Sequence, residues 1–158
     1  MVRLSQIVST STIVAPLKGV ERDAVLGELL DALLTAGAAP AELRTELLNK
    51  VLQREKLGST GFGQGVAVPH VKHKSIKSIH AAIGLAPRGV DFKALDKQPV
   101  YSVFLLLSPE DQPEEHLKAM EAIFKHLSKP TFRRFLKQAA TPEDVRTILD
   151  EADSQTLA

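Results

Sequence analysis

His70 stands directly after Pro69 at the exit of a glycine-rich stretch, REKLGSTGFGQGVAVPHVKH, running from Arg54 to His73. A neutral imidazole titrates near neutrality and is a good nucleophile toward phosphorus. Pro69 fixes its own φ and biases Val68 toward extended backbone, so His70 leaves the segment in a defined direction. Upstream lie Gly58, Gly61, Gly63 and Gly65, four of the nine glycines in the chain, interleaved with the hydroxyls of Ser59 and Thr60. Turning the chain would need fewer glycines. Ser59, Thr60, Gly61, Gly63 and Gly65 together offer small donors and bare N–H groups of the kind that form anion-binding concavities. The cationic residues that follow, Lys72, His73, Lys74 and Lys77, would attract an anion and repel a metal ion.

Rival chemistries fit less well. A Walker loop requires G-x-x-x-x-G-K-[ST], and no lysine lies between Gly58 and Pro69. A dinucleotide fingerprint requires G-x-G-x-x-G between a strand and a helix, whereas the spacing here is G-x-G-x-G, leading from a helix into a strand. A metal site built on His70, His73 and His80 lacks a nearby carboxylate or thiolate, and a strand would turn His70 and His73 to different faces. No serine nucleophile motif or paired acid accompanies His70 for hydrolysis.

Two further residues could assist an anion at His70. His116 falls on the same helical arc as Met120, Ile123 and Leu127 and is expected to face inward. It is either a core-edge histidine bonded to a carbonyl or a donor that stabilises a phosphoryl group on His70. His126 falls at the margin of that arc and is expected at the surface. Arg54 either complements the C-terminus of its helix or reaches a phosphate oxygen with its guanidinium fork.

The elements that must position these groups are legible in outline. Val25, Leu26, Leu29, Leu30, Leu33 and Leu34 follow helical spacing between Val20 and Ala36, and Gly37 supplies the stop. Pro40 opens a second helix with Leu43, Leu47, Leu48 and Val51 inward, ended by Gly58. An edge strand is expected at Thr12–Ala15, followed by strands at VAVP, IHAAIGLA and VYSVFLLLS; the last is apolar enough to be covered on both faces. DQPEEHLKAMEAIFKHL predicts a helix opened by Asp111 and Glu114, with Leu117, Met120, Ile123, Phe124 and Leu127 inward. TFRRFLKQA and TPEDVRTILDEA predict two shorter helices, the second capped by Thr141. This interleaving predicts an α/β fold with a mixed central sheet flanked by helices, one domain over 1–158 with its core at about 4–149.

Composition narrows the setting. The 158 residues are 44% hydrophobic and 25% charged with net charge +1, globular values with no overall basic field for nucleic acid. Cysteine is absent, which removes disulfides, thiol nucleophiles and thiolate metal sites. No run reaches the ~18 apolar residues of a membrane span, and the N-terminal apolar residues are too interrupted for a signal peptide. A soluble, cytoplasmic protein without membrane insertion is expected.

At REKLGSTGFGQGVAVPH and DKQPVYSVFLLLSPEDQPEEHL the sequence resembles the fructose/mannitol-type enzyme IIA proteins of the phosphoenolpyruvate-dependent phosphotransferase system. The likeness extends from about Leu4 to Leu149 and is greatest to the nitrogen-regulatory branch. It implies a mixed, mainly five-stranded sheet, His70 as acceptor of a phosphoryl group from a histidine-containing phosphocarrier protein, His116 as the second active-site histidine and Arg54 as the arginine of the signature. It implies no metal and no other cofactor. Downstream it implies a regulatory target protein or, in the sugar-transport alternative, a separate IIB protein, since IIB domains of this type accept phosphate on a cysteine. Two positions depart from the pattern: Val71, where glycine or alanine is usual and where the larger side chain would crowd the rim, and Asp96-Lys97 in place of Asp-Gly.

Overall fold

Val100–Pro109 carries apolar residues at both parities, so a strand made from it needs cover on both sides. The computed structural model, which describes residues 2–154, places it at the centre of a mixed sheet with helices on each face. In chain order the elements are α1 (Leu4–Ile7), β1 (Ile13–Val14), α2 (Arg22–Thr35), α3 (Arg44–Leu57), β2 (Gly61–Gly63), β3 (Val66–Ala67), β4 (His70–His73), β5 (His80–Val90), β6 (Val100–Pro109), α4 (Pro113–Leu127), α5 (Pro130–Gln138) and α6 (Pro142–Asp153). The sheet runs β1-β5-β6-β3-β2, with β4 also on β6. Val103, Leu105 and Leu107 of β6 pack with the leucines of α2 and with Leu47 and Val51 of α3. Phe104 and Leu106 pack oppositely, with Ala119 and Ile123 of α4, Phe132 of α5 and Val145 and Leu149 of α6.

The expected VAVP strand is longer than its apolar letters. Strands β3 and β4 both run parallel to β6 in one unbroken register: Val66 pairs Ser102, Ala67 pairs Val103 and His70 pairs Leu106. Pro69 interrupts the ladder because it has no N–H to give, yet its carbonyl accepts from Leu106 N at 3.0 Å. The six named strands thus occupy five lanes. Parallel to β6 and carrying His70 at its midpoint, this lane is what presents the histidine to the α4 side.

Helix ends mostly follow their signals. Thr141 Oγ1 accepts from Asp144 N at 3.1 Å, and Gly37 turns out of α2 at φ +84°. The Asp111–Glu114 box does not form: α4 begins at Pro113 after Gln112, and Asp111 belongs to the preceding turn. Helix α4 is also rolled relative to the expected arc. Ile123 and Leu127 are buried as expected, but Ala119 and His126 are buried too, the His126 ring with its centroid 5.6 Å from that of Phe132. Leu117 faces out at 59% exposure, and Phe124 lies at the margin against Phe62 of β2. Among the described residues no helix is long and apolar enough to cross a membrane.

At the Asp96-Lys97 departure, Lys97 has φ +60°, a left-handed conformation that suits the glycine usual there. Lys97→Gly is therefore expected to stabilise the fold by about 1 kcal/mol, since holding a side-chain-bearing residue left-handed costs about 1–2 kcal/mol. Chemical denaturation of the two chains checks this.

Candidate functional site

Side chains alternate along β4, so His70 and Lys72 point to the α4 face while Val71 and His73 point to the α2–α3 face. Val71 is buried in the α2–α3 cluster and does not crowd the rim of His70. His73 is likewise removed from the cationic rim: Ser75 N donates to its Nδ1 at 2.9 Å, so its Nε2–H donates to the Glu46 carboxylate of α3.

The tautomer of neutral His70 follows from one contact. Its Nδ1 lies 3.0 Å from the Val68 carbonyl, which can only accept, so Nδ1 carries the proton. Nε2 then holds the lone pair. The His116 ring stands beside it, with centroids 5.4 Å apart and planes at 53°. His116 comes from the first turns of α4, is 5% exposed, and its Nδ1 is 2.7 Å from Ser108 Oγ. Ser108, next to last in β6, has the same parity as Leu106, the partner of His70, and therefore lies on the same face. Sequence reasoning missed Ser108. The signal available was a serine closing an apolar strand eight residues before an inward histidine.

Burial, then the charge of Lys72 and the neighbouring His70, lower the pKa of His116 to about 4. It is neutral at physiological pH. In the unfolded chain it would titrate near 6.5, so between those values the unfolded state binds more protons and stability falls as pH drops. By pH 4 the loss reaches roughly 3 kcal/mol, at about 1.36 kcal/mol per tenfold difference in proton affinity. Burial lowers His80 and His126 as well, which adds in the same direction. Urea midpoints measured from pH 7 to pH 4 are expected to fall steeply, and less so in His116→Gln.

The glycine stretch is a hairpin rather than an open loop. Strand β2 pairs antiparallel with β3 around Gln64 and Gly65, which turn at φ +63° and +76°. A side chain at Gly65 would also press on the Tyr101 ring, 3.2 Å from its Cδ2. Ser59 Oγ–H donates to Phe92 O at 2.8 Å and accepts from Gly61 N at 2.9 Å. Thr60 gives both its N–H and its hydroxyl to the buried Glu55 carboxylate. Asp96 faces Gly63 and accepts from Gln64 N at 3.3 Å. Arg54 Nη1 donates to Gly58 O at 2.7 Å, across the C-terminus of α3. The structure thus brings His70 and His116 together, while Arg54, Ser59, Thr60, Gly61, Gly63 and Gly65 make contacts with the end of α3, the segment between β5 and β6, and the start of β6.

The hairpin still reaches His70 through the backbone. Thr60 O accepts from Val68 N at 3.2 Å, and Val68 O in turn holds His70 Nδ1. Glu55, Thr60 and Val68 form a relay that fixes the peptide orienting the imidazole.

Residues 6–152 match the family described as "Phosphoenolpyruvate-dependent sugar phosphotransferase system, EIIA 2". The chain belongs to that family. A "Nitrogen regulatory protein" of Pseudomonas aeruginosa PAO1 is 36% identical over 149 residues, covering 94% of this chain and 96% of that one. The crystal structure of nitrogen regulatory protein IIA-Ntr from Neisseria meningitidis superposes with a TM-score of 0.83 at 32% identity, covering 92% of this chain and 97% of the other. The "PTS system fructose-specific EIIABC component" of Bacillus subtilis is 28% identical over 151 residues, 96% of this chain but 24% of that protein. This EIIA is accordingly a phosphotransferase-system component whose relatives include nitrogen regulatory proteins.

Proposed function

We propose that this EIIA takes a phosphoryl group onto His70 Nε2 from the phosphohistidine of a small carrier protein, and that its phosphorylation state regulates a partner. The observation that carries this is the His70–His116 pair: a nucleophilic Nε2 set by the Val68 carbonyl, beside a buried neutral imidazole. In the transfer the donor's N–P bond breaks as the His70 Nε2–P bond forms, in line, and the donor imidazole leaves with the bonding pair. Exchange between two phosphohistidines is nearly balanced, so the protein's work is positioning and stabilising the equatorial oxygens.

With Ser108 donating to Nδ1, His116 presents Nε2–H to one of those oxygens, and Lys72 adds positive charge on the same face. Burial keeps His116 from competing as acceptor of a proton. Ser59, Thr60, Gly61, Gly63 and Gly65, expected as phosphate donors, support this arrangement chiefly by holding Val68 and hence His70. Arg54, whose Nη1 donates to Gly58 O, has further guanidinium N–H groups to offer a phosphate oxygen. The outward Leu117 gives a protein donor an apolar contact near the histidines.

Ser108→Ala is expected to slow phosphoryl uptake about tenfold by freeing the His116 tautomer, the loss of one hydrogen bond to a catalytic group. It should also displace the pH–rate profile, which a packing defect would not.

Incubation with phosphoenolpyruvate, enzyme I and the phosphocarrier should give acid-labile phosphate on the chain; no incorporation would refute the carrier role. For regulation, captures with the phosphorylated and unphosphorylated forms should retain different proteins, and identical sets would refute it. The likeness to a fructose-specific EIIABC component favours one second reading, delivery to a separate IIB protein. Rapid loss of phosphate to a fructose-type IIB would support that reading.

A further inference from the structure

Between α5 and the tip of the β2–β3 hairpin lies a hollow of about 400 Å³ whose lining includes Gln64, Asp96, Tyr101, Arg133, Arg134 and Lys137. Neither His70 nor His116 lines it. We propose that this hollow binds a small phosphate monoester, a ligand distinct from the phosphoryl group carried on His70.

The charge in the hollow is one-sided. Arg133, Arg134 and Lys137 bring three cations from a single helix, and among the described residues none is ion-paired with a carboxylate. The carboxylate in the wall, Asp96, already accepts from Gln64 N at 3.3 Å and Gln98 N at 3.0 Å. The hollow is therefore an electropositive concavity with its acid internally satisfied, a shape that concentrates anions.

Two of the cations are oriented. Arg133 Nη1 donates to Leu127 O at 2.7 Å, and Nη2 reaches Gln64 Oε1 at 3.5 Å, which holds the guanidinium between the end of α4 and the hairpin tip. Lys137 sits over the Tyr101 ring, its Nζ 4.1 Å from the centroid. At positions four apart, Arg133 and Lys137 share one helix face.

These features select a phosphate. Its two charges are gathered on one compact group with three acceptor oxygens, suited to converging guanidinium and ammonium donors. A dicarboxylate spreads the same charge over a longer molecule. The volume is that of a small-ligand site, and Gln64 and Gln98 offer neutral polar contacts to a hydroxylated remainder.

Amide NMR titration of the full chain tests this, with glycerol 3-phosphate as probe and glycerol and succinate as controls. Saturable shifts are expected at Gln64, Tyr101, Arg133 and Lys137 with the phosphate ester alone. They should persist in His70→Ala, which separates this site from the transfer site. The exposed pair Arg134→Gln and Lys137→Gln should weaken binding about tenfold, as loss of charged hydrogen bonds does. Equal response to succinate or glycerol, shifts that vanish with His70, affinity unchanged in the double variant, or no saturation would each overturn the proposal.

Discussion

His70→Ala is expected to take up no phosphate from the phosphorylated carrier, a loss limited only by the sensitivity of the assay. In the proposed transfer the imidazole supplies the atom that bonds phosphorus, and no neighbour replaces it. His116 is the nearest ring, but its Nδ1 is engaged by Ser108 and the ring is buried. His73 lies on the opposite face of the strand, against Glu46. Because His70 is only partly buried, its removal should leave the denaturation midpoint within about 1 kcal/mol of wild type. A folded variant that still accepted phosphate at the normal rate would displace His70 from the mechanism.

The second large effect is at His116. Removing its ring should slow phosphoryl uptake by about 10²–10³, the usual consequence of losing one preorganised donor to a developing oxyanion. His116→Ala should also lose roughly 1–3 kcal/mol of stability, since Ser108 Oγ would be left buried without its partner. The two effects separate in His116→Gln, whose terminal amide can restore part of the donor function. Quench-flow measurement of phosphate uptake should therefore rank wild type, Gln and Ala in that order. An Ala variant of wild-type rate but reduced stability would make His116 a core histidine only.

Much of the scaffold was legible because its signals are local. The helical stripe through Leu26, Leu30 and Leu33, the stop at Gly37 and the Thr141 cap all depend on residues a few positions apart. The two-sided cover of β6 was legible for the same reason, since ten consecutive residues lack a solvent face. The inward direction of His116 followed from helical periodicity.

What escaped depends on distant partners. Ser59 and Thr60 read as free donors because nothing in their neighbourhood announces that Phe92 O and a buried Glu55 will claim them. The roll of α4 is set by Phe62 of the hairpin meeting Phe124 and by Phe132 of α5 meeting His126, contacts that an arc drawn on one helix cannot contain. Val71 looked like an obstacle beside His70 because adjacency in sequence was taken as adjacency in space, whereas a strand turns neighbours to opposite faces. Ser108 became meaningful only once β6 and α4 were seen to lie over the same strand.

The most direct test of the account is to map the phosphate, after loading by phosphoenolpyruvate, enzyme I and the carrier protein, to a residue and a ring nitrogen. Tandem mass spectrometry of the intact and digested chain, with phosphorus–nitrogen NMR on histidine-labelled protein, makes that assignment. A single phosphate on Nε2 of His70 is expected, with Nδ1 still protonated toward Val68. Phosphate on Nδ1 of His70, or on His116, would contradict it.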